Sequence, residues 1–359
     1  MINLDGNDFF RTKDNFETFE SVNSALLYGN RLEKPKVSIM IPTFLRNGYL
    51  VETINSALNQ DTSVEYEIVV VDNNPEMDDM STLKLIQQYD SNKVAYYKNA
   101  KNLGMFGNWN RCLQLANAEW VLILHDDDTI TSNYISYMLH EVSKHKDLSC
   151  VGCSYTLIDG DSQIIPQPQK SKKWQLAEKY LIRNSFEVKI KDFFFIHPIN
   201  IMGLFVNKEK ALAIGGFDNT WDPTSDYIFI MNLADRYKVR CTENKLLNYR
   251  QAVNASLSQK HLLGMVEVDA YMRKDINRHL KVMDEKKAVL FRSALVLNHE
   301  KGLLKNWTSS LTPEQLKVVK DEYLEFNKVF MVKKVSDSYL EQVIKKQGYY
   351  QFWMKYIRR

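Results

Sequence analysis

Apolar positions along the chain change their spacing several times, and the changes mark out elements. Between residues 37 and 155, short β-branched runs alternate with segments whose apolar residues recur every three or four positions. That is the pattern of parallel strands joined by crossover helices. It predicts strands over 37–42, 67–71, 94–97 and 120–124, and helices over 49–58, 81–89, 108–116 and 132–144. The first helix carries Leu50, Ile54 and Leu58 on one stripe, and the last has Ser132 as its expected N-cap. Residues 67–71 are nearly continuous in apolar character, as expected of a strand covered on both faces.

The alternation pauses at 159–173, a polar stretch with Pro166 and Pro168 that reads as a loop or boundary. A strand at 199–206, a helix at 208–214, the Gly215-Gly216 break, a helix from about Asp226 and a strand at 245–249 make a second, more mixed half. Beyond about Ser258 the spacing is helical to the end, with capping-box starts at Thr312-Pro313-Glu314-Gln315 and Ser338-Tyr339-Leu340-Glu341. The reading is an α/β chain in four parts: an extension at 1–36, a first α/β half at 37–158, a second at 159–258 and a helical region at 259–359. It shows no internal repeat and no low-complexity tract.

Composition narrows the class without deciding it. At 359 residues with 45% hydrophobic and 25% charged residues, the chain has the balance of a globular protein with a real core. A net charge of +3 gives no case for nucleic acid as a partner. The longest apolar-looking stretch, 193–206, is interrupted by His197, Pro198 and Asn200 and is too short for a bilayer span. Asp5, Asp8 and Asp14 near the start do not suit a secretory signal, so the expected compartment is the cytosol. Cys112, Cys150, Cys153 and Cys241 lack the spacing of a zinc site and are expected as buried free thiols.

In an open parallel sheet, ligands bind beyond the carboxyl ends of the strands. That rule selects Pro42-Thr43-Phe44, Val71-Asp72-Asn73-Asn74 and Leu124-His125-Asp126-Asp127-Asp128. Three adjacent carboxylates after a buried strand repel one another unless a cation or a buried partner compensates. Their hard oxygens suit Mn2+ or Mg2+ with positions left for a diphosphate. The plainer alternative is an acidic loop capping the next helix. No glycine-rich phosphate cradle and no Gly-x-Ser-x-Gly elbow is present, which leaves a metal as the means of neutralising phosphate.

These segments, with Asn55-Ser56-Ala57-Leu58-Asn59-Gln60, Asn102-Leu103-Gly104 and the first strand Val37-Ser38-Ile39-Met40-Ile41-Pro42, resemble family 2 glycosyltransferases of the GT-A fold. The likeness is close over 37–155 and looser to about Ser258. It implies a mixed Rossmann-like sheet flanked by helices, here with a C-terminal helical appendage. It implies transfer of a sugar with inversion from a nucleotide-sugar, with UDP favoured, to a glycan or lipid-linked glycan acceptor in surface polysaccharide synthesis. Carried over residue by residue, Pro42, Thr43, Phe44, Arg46, Asp72, Asn73, Asn102, Gly104 and Asp126 would bind the nucleotide-sugar, with Thr43 and Asp72 at the base, Asp72 accepting from a uracil ring nitrogen, and Asp126 facing the ribose and donor sugar. Asp127 would bind the metal, with Asp128 as a rival ligand.

Gly215-Gly216-Phe217-Asp218 and Ser225-Asp226-Tyr227 resemble the family's acceptor-side segment. Gly216, Trp221 and Ser225 would face the acceptor, and Asp226 would be the catalytic base. Two departures stand out: Ser225 replaces the usual acidic residue, and Ala252 stands where related enzymes often place a histidine, so that either His261 substitutes or the metal relies on Asp127, phosphate oxygens and water. As plainer readings, Thr43 and Asp72 cap turns and Asp226 caps a helix. The 345–359 segment holds Lys345, Lys346, Lys355, Arg358 and Arg359 among Tyr349, Tyr350, Phe352, Trp353 and Tyr356. That composition suits either an anionic membrane face or packing on the body or a second subunit. Two alternatives remain from the sequence: a catalytically inactive scaffold of the same fold and a sugar nucleotidyltransferase.

Overall fold

A computed structural model describes residues 8–166, 185–195, 197–251, 259–285 and 288–289. Ala252, the capping boxes near 312 and 338 and the basic-aromatic segment at 345–359 lie outside the described residues, as does the side chain of His261.

The described strands are β1 (Ser24–Tyr28), β2 (Val37–Thr43), β3 (Tyr66–Asp72), β4 (Val94–Asn99), β5 (Trp120–Ile123), β6 (Thr129–Ile130), β7 (Leu148–Ile158), β8 (Ser185–Val188), β9 (Phe205–Asn207) and β10 (Lys238–Arg250). They form one sheet in the order β1-β4-β3-β2-β5-β9-β7-β10-β6, with β8 also paired to β10. β4, β3, β2 and β5 run parallel. β9 enters antiparallel between β5 and β7, while β7 and β10 are parallel to each other. The sheet is therefore mixed, as the family likeness implies.

The described helices are α1 (Leu50–Leu58), α2 (Ser81–Ile86), α3 (Gly104–Leu115), α4 (Tyr134–Lys144), α5 (Lys208–Ala213), α6 (Ser225–Arg236) and α7 (Gln259–Leu280). Strand side chains alternate between two apolar layers. Ile39, Ile41, Ile68 and Val70 meet Leu50 and Ile54 of α1, Leu83 of α2 and Ile135 of α4. Met40, Val69 and Val71 belong to the other layer, with Phe106 and Trp109 of α3, Ile228 of α6 and Met272 of α7. Covering on both faces explains why β2 is buried at every position and why its sequence is mostly apolar, with the buried Ser38 hydroxyl donating to Glu67.

Several elements differ from their sequence-based bounds, each for a local reason. α3 begins at Gly104 rather than at 108, because Asn108 and Asn110 face inward. Asn108 donates to the Val71 carbonyl, and Asn110 bonds both the N–H and the carbonyl of Phe217. Ser132 is not an N-cap: Thr131 N–H still pairs with Leu246, so α4 starts only at Tyr134. The apolar run at 199–206 is strand only from Phe205, since Gly203 at φ +67 turns the chain and its carbonyl accepts from Tyr134. β10 begins at Lys238, seven residues before the expected 245, because its first residues already pair with β7 and β8.

The N-terminal extension contributes to the same body. β1 lies antiparallel to β4, and Arg31 pairs with the buried Glu67 at 2.8 Å. Phe9 is fully buried and stacks on Trp221 at 4.1 Å. All four cysteines are buried and free, as expected, and burial pushes the Cys150 and Cys153 thiols up to about 12. Among the described residues, no helix is long and apolar enough to cross a membrane.

Candidate active site

β2 lies between β3 and β5, so the direction of winding reverses between β2 and β5, and a crevice opens beyond their carboxyl ends. A cavity of about 440 Å³ lies there. Ten of the expected site residues line it: Pro42, Thr43, Phe44, Arg46, Asn73, Asn102, Gly104, Asp126, Asp127 and Asp226. The switch point is bridged directly, since Thr43 Oγ1 donates to Asp126 Oδ2 at 2.8 Å.

Asn73 organises the corner beyond β3. Its Nδ2 donates to Asn102 Oδ1 and the Gly104 carbonyl, and its Oδ1 accepts from Leu103 N–H and Asn99 Nδ2. Gly104 has φ +74, a conformation open to glycine and strained for other residues, and there the chain turns into α3. Asp72 is 1% exposed and is not part of the cavity lining. Its carboxylate accepts from Tyr96 OH at 2.7 Å and Asn74 N–H at 2.9 Å. Burial raises its pKa, against the pull of those bonds.

The acid run sits at the centre. Burial pushes Asp126 up to about 6, although Arg46 and Thr43 favour its charge. Arg46 donates to Asp127 Oδ2 at 2.7 Å and lies 3.6 Å from Asp126 Oδ1. Asp128 turns away from the cavity: it is 1% exposed, and burial together with Asp127 raises its pKa well above the carboxylate range. Its Oδ1 accepts from the Arg250 N–H, and its Oδ2 lies 3.6 Å from His125 Nδ1. Asp128 Oδ2 and His125 Nε2 are buried polar atoms with no hydrogen-bond partner.

These orphans bear on the expected metal. Ligand atoms of His125, Asp127 and Asp128 lie within 4.8 Å of one another. One imidazole and two carboxylates are a donor set suited to Mn2+ and acceptable to Mg2+. The residues therefore fit a divalent cation, with His125 as a member that sequence reasoning left out. Its signal was its place, between a buried strand and the acid run. Trp109 stacks on the His125 ring at 4.9 Å and fixes its plane.

Asp226 approaches the same cavity from the first turn of α6. Its Oδ1 accepts from Tyr227 N–H, and burial pushes it up to about 7. The three expected acceptor-side residues do not line the cavity. Ser225 is fully buried with no partner for its hydroxyl, and Trp221 is 4% exposed against Phe9. Gly216 has φ +72, and a Cβ there would collide with Asn110, so it shapes the chain behind the site. Trp109, Met202, Pro223 and Tyr249 line the cavity and were not expected there, because in sequence they look like ordinary core positions.

Residues 38–209 match the family model described as "Glycosyl transferase family 2". The chain is 26% identical over 221 residues to an uncharacterized glycosyltransferase of Methanocaldococcus jannaschii, covering 61% of this chain and 72% of that protein. It is 31% identical over 160 residues to the GalNAc(5)-diNAcBac-PP-undecaprenol beta-1,3-glucosyltransferase of Campylobacter jejuni, covering 44% of this chain and 47% of that protein. The chain thus spans about half the length of the Campylobacter relative. The crystal structure of S. aureus TarS 1-349 in complex with UDP-GlcNAc is similar with a TM-score of 0.56 at 16% identity, covering 82% of this chain and 81% of that one. A likeness at that identity is one of fold.

Proposed function

We propose that this chain, whose residues 38–209 match the glycosyl transferase family 2 model, moves a sugar from a nucleotide-sugar donor to an acceptor hydroxyl with inversion at the anomeric carbon. One observation carries the reading. Asp226 and the Asp126-Asp127 pair line the same cavity, from different elements, and burial holds Asp226 at about 7. A general base works best with a pKa near the operating pH.

In the proposed reaction Asp226 takes the acceptor hydroxyl's proton as that oxygen attacks the anomeric carbon. The bond to the nucleoside diphosphate breaks on the opposite side, which inverts the sugar. Asp226 stands in the first turn of α6, where the helix dipole favours the ionised carboxylate needed for this step. A divalent cation held by His125, Asp127 and Asp128 would supply positive charge beside the departing diphosphate. Arg46, across the mouth from that cluster, is assigned to the diphosphate oxygens, and Thr43 with Asp126 to the ribose and sugar. The nucleotide base is assigned to the Asn73–Asn102 corner, with Asp72 acting from behind it. UDP is the preferred nucleotide, in keeping with the UDP-GlcNAc complex of the TarS relative.

The acceptor is proposed to be a surface glycan or a lipid-linked glycan met at the cytoplasmic membrane face. The undecaprenol-linked substrate in the Campylobacter relative's name supports that class. The deciding experiment incubates the full chain with UDP-, GDP- and dTDP-sugars, with and without Mn2+, and follows thermal stabilisation and nucleoside diphosphate release. Stabilisation by one nucleotide class and release of its diphosphate are expected. If no donor binds and none is turned over, the proposal is wrong.

A further inference from the structure

Arg250, the last residue of β10, is 0% exposed and brings a guanidinium into the interior beside the acid run. Burying a guanidinium is unfavourable unless its donors are all engaged. Here the acceptors come from three separate stretches of chain. Nε donates to the Asp127 carbonyl at 2.8 Å. Nη1 donates to the Asp159 carbonyl at 3.0 Å and Ser162 Oγ at 2.9 Å, and Nη2 donates to Glu52 Oε2 at 2.8 Å. The guanidinium carbon also lies 4.2 Å from the centre of the Tyr49 ring. The Arg250 main-chain N–H meets Asp128 Oδ1 at 2.9 Å. One residue therefore holds both the carbonyl of the peptide that joins Asp127 to Asp128 and the Asp128 carboxylate.

That grip has a consequence for the site. Asp127 and Asp128 are neighbours, yet one lines the cavity and the other faces His125 from beneath it. Their peptide plane must be held for the two carboxylates to keep these different directions. We propose that Arg250 is a positioning residue of the transfer site. Its guanidinium fixes the Asp127–Asp128 peptide against α1 and the 159–162 turn, and so sets the geometry of the His125, Asp127 and Asp128 cluster. The inference rests on the glycosyl-transfer reading for the use of that cluster, but the geometry is independent of which sugar is moved. A lysine would bring the charge without the fork that reaches three directions.

The test uses the full chain and the variants Arg250→Lys and Glu52→Gln, with Mn2+ binding read from free-ion paramagnetic resonance, melting temperature, kcat and acceptor KM. Loss of a group that orients metal ligands typically weakens metal binding by about 10–100-fold. Arg250→Lys is expected to melt cooperatively and to lose at least about tenfold in Mn2+ affinity, with kcat reduced and acceptor KM unchanged. Glu52→Gln, which loosens only the far end of the guanidinium, is expected to lose about threefold, an intermediate effect. Native Mn2+ affinity in folded Arg250→Lys overturns the proposal, as does a lowered melting temperature with affinity intact. Should Arg250→Lys fail to fold, unchanged Mn2+ affinity in Glu52→Gln overturns it. If the native chain binds no Mn2+, the metal reading fails instead. Arg250 is then judged on kcat, where a fall of less than about threefold in either variant counts against it.

Discussion

Arg46 and Asp127, 81 positions apart in the chain, meet at 2.7 Å across the mouth of the cavity. The arginine follows β2 and the aspartate follows β5, so the contact joins the two sides of the point where the sheet's winding reverses. Arg46 is 40% exposed, which limits what the pair contributes to folding to about 1 kcal/mol or less. Its larger effect is expected on the donor. Arg46→Ala should leave the melting temperature nearly unchanged and weaken nucleoside diphosphate binding about tenfold, the equivalent of one charge-assisted hydrogen bond. Calorimetric titration with UDP checks this, and equal affinities would remove Arg46 from the diphosphate site.

Asp226→Asn keeps the shape of the side chain and removes its basicity. Turnover is expected to fall by at least about 100-fold, the usual contribution of a general base, while donor binding persists. Substantial turnover in a purified variant would show that another group accepts the proton.

The pH dependence follows from the same carboxylate. Burial raises Asp226 from an ordinary 3.8 to about 7, so the base is mostly protonated at pH 6 and free at pH 8. The rate kcat/KM should climb through about pH 7 and level off above it. Stability should move the other way. Between about pH 4 and 7 the unfolded chain has released this proton and the folded one has not, so folding weakens as pH rises. Asp226→Asn is free of that loss, and its melting temperature relative to native should be higher at pH 8 than at pH 4. A difference that does not vary with pH would contradict the raised pKa.

His125 gives a metal-specific prediction. His125→Ala should weaken Mn2+ binding by about 10-fold or more, and Asp127→Ala should abolish metal-dependent donor binding. Identical UDP titrations with and without Mn2+ in the native chain would argue against a metal at this cluster.

Trp221 tests a different point. It stacks on Phe9 and is 4% exposed, so Trp221→Ala should destabilise the fold by about 3–5 kcal/mol. Denaturant unfolding measures this. A small loss of stability with a large rise in acceptor KM would return Trp221 to the acceptor site.

Much of the first α/β half was legible because local pattern and tertiary role agree there. Strands β2 to β5 are apolar on both faces, and the helices that cover them carry single stripes, so period alone located them within a few residues. The pattern misled where polar side chains do structural work inside. Asn108 and Asn110 read as a helix boundary but serve as hydrogen-bonding anchors deep in α3. The extension at 8–28 read as a lead-in because neither its strand nor Phe9 has a periodic neighbourhood, and both find their partners far along the chain.

By itself the sequence determined the order of elements and the chemistry available to the site: an acid run after one strand, Arg46 after another, Asp226 at a helix start. These are properties of residue type and spacing, and they survive without knowledge of distance. Only the tertiary structure decided which carboxylates share the cavity. It turned Asp127 in and Asp128 down, set Asp72 behind the wall, brought His125 into the cluster and withdrew Trp221 and Ser225 from it. Direction and burial depend on contacts between distant segments, such as the Arg250 grip on the Asp127–Asp128 peptide, and no local pattern encodes them.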